Sequence, residues 1–91
     1  MRKYIIERDI PGVGGLKGEE LRAAAKQSNR ALAECGPGIQ WLESYATVDK
    51  TFCVYLAENE DLIREHAKRS GFPATTITEV TAVFDPSTGH E

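Results

Sequence analysis

The stretch Gly36-Pro-Gly-Ile-Gln-Trp-Leu-Glu-Ser-Tyr-Ala-Thr-Val-Asp-Lys-Thr-Phe-Cys-Val-Tyr-Leu-Ala57 decides how this chain folds. Residue types alternate along two runs that are rich in aromatic and β-branched side chains, and only the segment Val48-Asp-Lys-Thr51 interrupts them. This alternation predicts a β-hairpin. Helical patterns lie on both sides of the hairpin in the sequence, so the hairpin is the centre of the predicted fold.

The first strand of the hairpin predicts two rows of side chains, because successive residues of a strand point to opposite faces of a sheet. One row holds Trp41, Glu43, Tyr45 and Thr47, and the other holds Leu42, Ser44, Ala46 and Val48. The first row is too polar for an ordinary core and too aromatic for an ordinary solvated surface, which indicates a pocket or a subunit contact. The opposite arrangement, in which this row faces the helices, stays open.

Regular patterns before and after the hairpin complete the fold. They predict a strand over residues 3–8, an amphipathic helix over residues 19–34, a second helix between Asn59 and Gly71, and a strand over residues 76–84. The order β-α-β-β-α-β predicts a ferredoxin-like α+β fold, in which both helices cover one face of an antiparallel four-stranded sheet. We expect the uncovered face to meet a second copy, which gives a face-to-face homodimer.

The length of 91 residues predicts one domain, residues 1–85, followed by a flexible tail over residues 86–91. A glycine-rich segment separates the first strand from the first helix. Lys17 stands where a dinucleotide-binding motif has its third glycine, so the segment predicts a turn rather than a phosphate loop.

Charge and cysteine content exclude several classes of protein. The net charge is -3, the isoelectric point is near 5.4 and no run of Lys or Arg occurs, so we expect neither a nucleic-acid nor a membrane partner. The apolar stretch near the first residue is too short for a signal peptide or a membrane span, which predicts a cytoplasmic protein. Cys35 and Cys53 lack the close spacing of a redox or zinc pair.

Short motifs along nearly the whole chain resemble those of a known family. They are Glu7-Arg8, Pro11-Gly12, Glu19-Glu20-Leu21, Ser28, Ala31-Leu32-Ala33, Gly36-Pro-Gly-Ile-Gln-Trp41, Ser44-Tyr45, Asp49-Lys50, Cys53-Val-Tyr55, Ile63-Arg-Glu-His-Ala67 and Gly71-Phe-Pro-Ala74. The family consists of small bacterial proteins described as nickel-binding. The resemblance implies a ferredoxin-like dimer that binds nickel or a similar divalent ion for sequestration or delivery, and it points to no particular enzymatic activity.

His66 is the first candidate metal ligand, because imidazole suits nickel and His66 is the one internal histidine. Glu65 and Glu43 are candidate oxygen donors, and Cys53 is a candidate thiolate. His90 and Glu91 form a weaker candidate site in the tail. His66 shares the inward stripe of the second helix with apolar residues. The alternative prediction is therefore a buried, hydrogen-bonded histidine that binds no metal.

A small-molecule site is the competing hypothesis for the function. Ferredoxin-like dimers include cofactor-free oxygenases and isomerases, and an analogous pocket here would contain Trp41, Glu43, Tyr45, Tyr55 and His66. Glu43 beside aromatic rings is a candidate acid or base, unless it pairs with a basic residue of the first strand. Contact between Cys53 and His66 would provide a nucleophile and a base, but no motif supports catalysis. A third hypothesis is an interaction module without a ligand.

Overall fold

Four strands and two helices alternate along residues 1–90, the part of the chain that the computed structural model describes. The strands are β1 (Arg2–Asp9), β2 (Ile39–Ala46), β3 (Lys50–Ala57) and β4 (Thr76–Val80), and the helices are α1 (Glu19–Cys35) and α2 (Glu60–Ser70). The strands form one antiparallel sheet in the order β2-β3-β1-β4. This order confirms the predicted ferredoxin-like fold. Neither helix in this part of the chain is long and apolar enough to cross a membrane.

The core lies between the two helices and one face of the sheet. Its buried members are Tyr4, Ile6, Ile39, Cys53, Tyr55, Ala57 and Ile63. They alternate along β1 and β3 with residues of the opposite face, as a half-covered sheet requires. We call the opposite side the open face; it carries Ile5, Glu43, Tyr45, Phe52, Val54 and Leu56.

Local sequence signals fix both ends of α2. The side chain of Asn59 accepts a hydrogen bond from the backbone N–H of Leu62 at 3.0 Å, which satisfies one donor of the first turn. Gly71 ends the helix in the left-handed conformation with φ 81°, and its N–H donates to the carbonyl of Ala67. Both predicted ends of this helix are confirmed.

The last strand is shorter than predicted, because β4 ends at Val80 rather than at residue 84. Val80 lies opposite Lys3, one residue from the beginning of β1, so residues from Ala82 onward run past β1 and have no pairing partner there. Val83 and Phe84 are consequently exposed. The tail begins with a 3₁₀ helix, Pro86–Gly89, which Asp85 caps. Its predicted flexibility stays a prediction, and Glu91 lies outside the described residues.

One extra residue in β2 interrupts the regular alternation of that strand. Trp41 lies opposite Tyr55 and Glu43 lies opposite Val54, so two residues that are adjacent in β3 face residues that are two positions apart in β2. Leu42 between them has no partner, and this irregularity is a β-bulge. The bulge reverses the alternation of side chains from that point onward.

The predicted single row of Trp41, Glu43, Tyr45 and Thr47 is therefore wrong. Trp41 lies on the helix side of the sheet, where its indole Nε1 donates a hydrogen bond to the hydroxyl of Ser44 at 2.8 Å. Glu43 and Tyr45 lie on the open face, where the Tyr45 hydroxyl donates to the Glu43 carboxylate. Each of the two alternatives left open by the sequence holds for part of the row.

Candidate functional site

A cavity of about 320 Å³ lies between α1 and the helix side of the hairpin. The helix contributes small and apolar side chains, Leu21, Ala24, Ala25 and Ser28. The sheet contributes Arg8, Trp41, Ser44, Ala46, Thr51, Cys53 and Tyr55, and the surrounding loops contribute Ile10, Val13, Leu16 and Phe72. The space exists because α1 presents alanines and a serine where larger side chains would fill the gap.

The glycine-rich segment after β1 closes one end of this cavity. It is held against the turn of the hairpin by the N–H of Ile10 on the Asp49 carbonyl at 3.0 Å and the N–H of Gly14 on the Val48 carbonyl at 3.0 Å. The N–H of Gly12 donates to the Asp49 carboxylate at 2.9 Å. These N–H groups are used inside the protein, so the segment is a docked wall and not a phosphate loop.

Arg8 is the charged residue of the cavity wall and is only 3% exposed. Its Nη1 donates to the backbone carbonyls of Phe72 at 3.2 Å and Pro73 at 2.9 Å, and its Nη2 lies 3.5 Å from the Tyr55 hydroxyl. Burial raises the pKa of Tyr55, while the charge of Arg8 opposes that shift. Tyr55 is therefore a neutral phenol near neutral pH, and all three contacts of Arg8 are to uncharged oxygens.

His66 lies behind the cavity wall, between α2 and α1, and is only 1% exposed. Its Nε2 is 3.1 Å from the carbonyl of Ser28, which can only accept, so Nε2 carries the proton. Nδ1 is then the unprotonated nitrogen, and it is buried without a hydrogen-bond partner in the described residues. Burial lowers the pKa of His66, the Ser28 carbonyl opposes the shift and Arg8 adds to it. The imidazole is therefore neutral.

The four predicted metal ligands do not meet in one chain. Glu43 lies on the open face, and Glu65 forms an ion pair with Arg69 at 2.7 Å on α2. Cys53 is buried on the helix side of the sheet, where its thiol is 3.6 Å from the Thr51 hydroxyl, and His66 is buried against Ser28 of α1. Within residues 1–90, no three His, Cys, Asp or Glu side chains are grouped so that they could hold a metal ion. The described part of one chain therefore offers no set of three side-chain ligands for nickel.

The predicted pocket residues are likewise divided between two sites. Trp41 and Tyr55 line the cavity, whereas Tyr45 lies on the open face beside Glu43. The hydrogen bond to Glu43 raises the pKa of Tyr45. Among residues 1–90, the one ion pair made by a basic residue of β1 joins Arg2 to Glu79, so the alternative pairing predicted for the Glu43 carboxylate is not found.

The ring that contacts His66 is Tyr55, with ring centroids 5.4 Å apart. The catalytic alternative required contact between His66 and Cys53, whereas the hydrogen bonds of both side chains are to other residues. The thiol of Cys53 is hydrogen-bonded to the Thr51 hydroxyl, and the imidazole of His66 is hydrogen-bonded to the Ser28 carbonyl. Cys53 and His66 are therefore not arranged as a nucleophile and its base.

Sequence reasoning missed Arg8 as a site residue, and it missed the small residues of α1 as the origin of the cavity. Arg8 carried a signal, because it follows Tyr4 and Ile6 in the inward row of β1 at a spacing of two residues. An arginine in an otherwise apolar row is unusual. Ala24, Ala25 and Ser28 carried no such signal, since small residues are equally common where helices pack closely.

Comparison with known proteins agrees with this architecture. The crystal structure of SCO4226 from Streptomyces coelicolor A3(2) superposes with a TM-score of 0.75 at 14% sequence identity, over 90% of this chain and 99% of that one. At this identity the likeness shows the fold alone. A search of curated proteins finds no match. The sequence model of the family described as "Nickel responsive protein SCO4226-like" matches residues 4–80. The chain therefore belongs to the SCO4226-like family of nickel responsive proteins.

Proposed function

We propose that this protein binds a small, largely apolar molecule in the cavity between α1 and the hairpin. One observation carries the proposal: a cavity of about 320 Å³ with apolar walls and a few polar groups, inside a domain of only 91 residues. Ligand sites commonly begin at about 300 Å³ and combine apolar walls with a few convergent polar groups.

Binding is a better description than catalysis, because the polar groups of the cavity wall are poor acids and bases at neutral pH. Arg8 is always protonated. Burial raises the pKa of Tyr55, which keeps its proton. His66 has the side chain best suited to proton transfer, but it lies behind the cavity wall with its Nε2 bonded to Ser28.

A titration followed by amide NMR tests this proposal with 1-octanol as an apolar probe. We expect saturable shifts of residues that line the cavity, such as Ala24 and Cys53. Ala25→Phe fills the cavity from α1 and should abolish these shifts. Ala23→Phe is the matched control, because Ala23 is exposed on the same helix and should leave binding unchanged. Unsaturable shifts in the wild-type protein, or equal binding by both variants, would contradict the proposal.

We also propose that the open face pairs with a second copy of the chain. Ile5 is 38% exposed and Phe84 is 80% exposed at the same side of the sheet, beside Val54. Apolar side chains in such a group are typical of an interface. Sedimentation should show a dimer that Phe84→Asp dissociates. Val48→Asp is the control, because Val48 is 77% exposed at the hairpin turn and should leave the dimer intact. A wild-type monomer would refute this proposal.

Nickel binding is the second candidate function, and the description of the family supports it. Since one chain groups no three metal-binding side chains within residues 1–90, we propose that Glu43 binds nickel together with donors of a second copy across the open face. Calorimetry on metal-stripped protein should show saturable binding that Glu43→Gln abolishes and His66→Gln retains. If only truncation before His90 removes binding, the tail histidine is the ligand and this proposal fails.

A further inference from the structure

Arg8 has an unusual electrostatic position at the base of the cavity. Only 3% of the surface of this residue is exposed to water. Arginines are almost never so buried without an acidic partner. Yet none of the ion pairs within residues 1–90 includes Arg8. The nearest groups are two backbone carbonyls and the neutral hydroxyl of Tyr55.

These contacts orient the guanidinium but do not neutralise it. The carbonyls of Phe72 and Pro73 both bind Nη1, and the Tyr55 ring centroid lies 5.9 Å from the guanidinium carbon. A guanidinium has five N–H donors in a planar fork that matches a carboxylate. Three donor contacts are to neutral oxygens, so the group keeps its full positive charge and has donor capacity left for an anion in the cavity.

We propose that the ligand of this cavity is an amphiphilic monocarboxylate whose carboxylate binds Arg8 and whose apolar part lies along α1. The inference rests on the proposed binding function and adds the chemical class of the ligand. At about 30 Å³ for each water-sized group, the cavity of about 320 Å³ holds roughly ten non-hydrogen atoms. The apolar side chains Ala24, Ala25 and Trp41 suit an alkyl chain or a single aromatic ring.

Arg8 also has a purely structural interpretation, in which it ties the segment after α2 to the sheet through the Phe72 and Pro73 carbonyls. In that case the guanidinium would not distinguish ligands by charge. The two interpretations therefore differ in a property of the wild-type protein, namely its preference among ligands that share one alkyl chain and differ only in the head group.

The test compares octanoate, 1-octanol and octylamine as ligands of the full chain at neutral pH. We expect octanoate to bind at least about tenfold more tightly than octanol, because its hydrogen bonds to Arg8 are charge-assisted. Octylamine should bind least, since it brings a second positive charge to Arg8. The side-chain Nε–H resonance of Arg8 should shift with octanoate and not with octanol.

Arg8→Met should reduce octanoate affinity at least about tenfold, to near that of octanol, and should change octanol affinity much less. Arg64→Met is the control, because Arg64 is exposed and pairs with Glu60 on the outer side of α2. If Arg8→Met does not fold, the ligand preference of the wild-type protein and the shift of the Arg8 Nε–H resonance still distinguish the two interpretations of Arg8.

The possible outcomes separate this inference from the binding function on which it rests. If octanoate and octanol bind with equal affinity and Ala25→Phe blocks both, the inference that the ligand is a carboxylate is refuted, while the proposed binding function stands. Tighter binding of octylamine than of octanoate also overturns it. If none of the three molecules binds, both proposals fall.

Discussion

The buried imidazole of His66 makes the stability of this protein depend on pH in a predictable way. In the native state Nε2 donates to the Ser28 carbonyl, and protonation of Nδ1 would bury a charge without a partner in the described residues. The native pKa of His66 is therefore lowered, whereas the unfolded chain binds the proton near pH 6.5. The unfolded state thus binds more protons below that pH, so this contribution to stability is present above about pH 6.5 and is lost on acidification.

The size of the effect follows from the binding of one proton. Below about pH 6.5 the free energy of unfolding falls by up to about 1.4 kcal/mol for each pH unit, which gives at most about 2 kcal/mol by pH 5. A loss of this size is a substantial part of the stability of a small domain. It continues until the pH falls below the lowered native pKa, where both states bind the proton.

Urea unfolding between pH 7.5 and pH 5 measures this loss, with His66→Gln as the comparison. The glutamine amide can still donate to Ser28 but does not titrate, so the difference between the two proteins isolates the imidazole from all carboxylates. His90→Ala is the control for histidine content, since His90 is exposed and its removal should keep the wild-type dependence. If wild type and His66→Gln lose the same free energy over this range, the neutral buried imidazole is refuted.

Two further predictions concern the loop wall and the helix cap. Gly14→Ala should lower the free energy of unfolding by about 1–3 kcal/mol, because an added Cβ would lie 2.6 Å from the Thr47 carbonyl oxygen. Gly15→Ala, whose Cβ would have no neighbour within 4 Å, should leave the free energy of unfolding nearly unchanged. Equal effects of the two variants in urea unfolding would contradict the packing of the glycine-rich segment against the hairpin turn. Asn59→Ala removes the acceptor of the Leu62 N–H and should lower the free energy of unfolding by about 1 kcal/mol. Asn59→Ser keeps an acceptor and should preserve most of that free energy. Equal thermal unfolding of the two variants would argue against the cap.

The fold could be predicted from sequence because its signals are local. The hairpin, both helices and their order follow from alternation, three- and four-residue spacing and end residues such as Asn59 and Gly71, and each of these acts within a few positions. The end of β4 could not be predicted in this way. It depends on where β1 begins, and that is a property of a strand more than seventy positions earlier in the chain.

The candidate site was much less predictable, because it depends on which side chains different elements bring together. A period of two assigns Trp41 and Glu43 to the same side, and one bulged residue is enough to separate them. The cavity arises from side chains that are small, and a sequence does not show the space that a small residue leaves. His66 was a candidate metal ligand on chemical grounds. The groups that contact its imidazole, the Ser28 carbonyl of α1 and the Tyr55 ring of β3, belong to other elements and could not be predicted from the spacing within α2.

The bulge at Leu42 also determines where this strand can change length during evolution. If Leu42 were deleted, Trp41 and Glu43 would become adjacent and keep their present partners, Tyr55 and Val54, in a regular ladder. Deleting Ser44 instead would make Glu43 and Tyr45 adjacent, so one of them would have to turn from the open face into the cavity. Relatives that lack one residue in this strand can therefore share every cavity contact with this protein, provided that the gap in their alignment falls at Leu42.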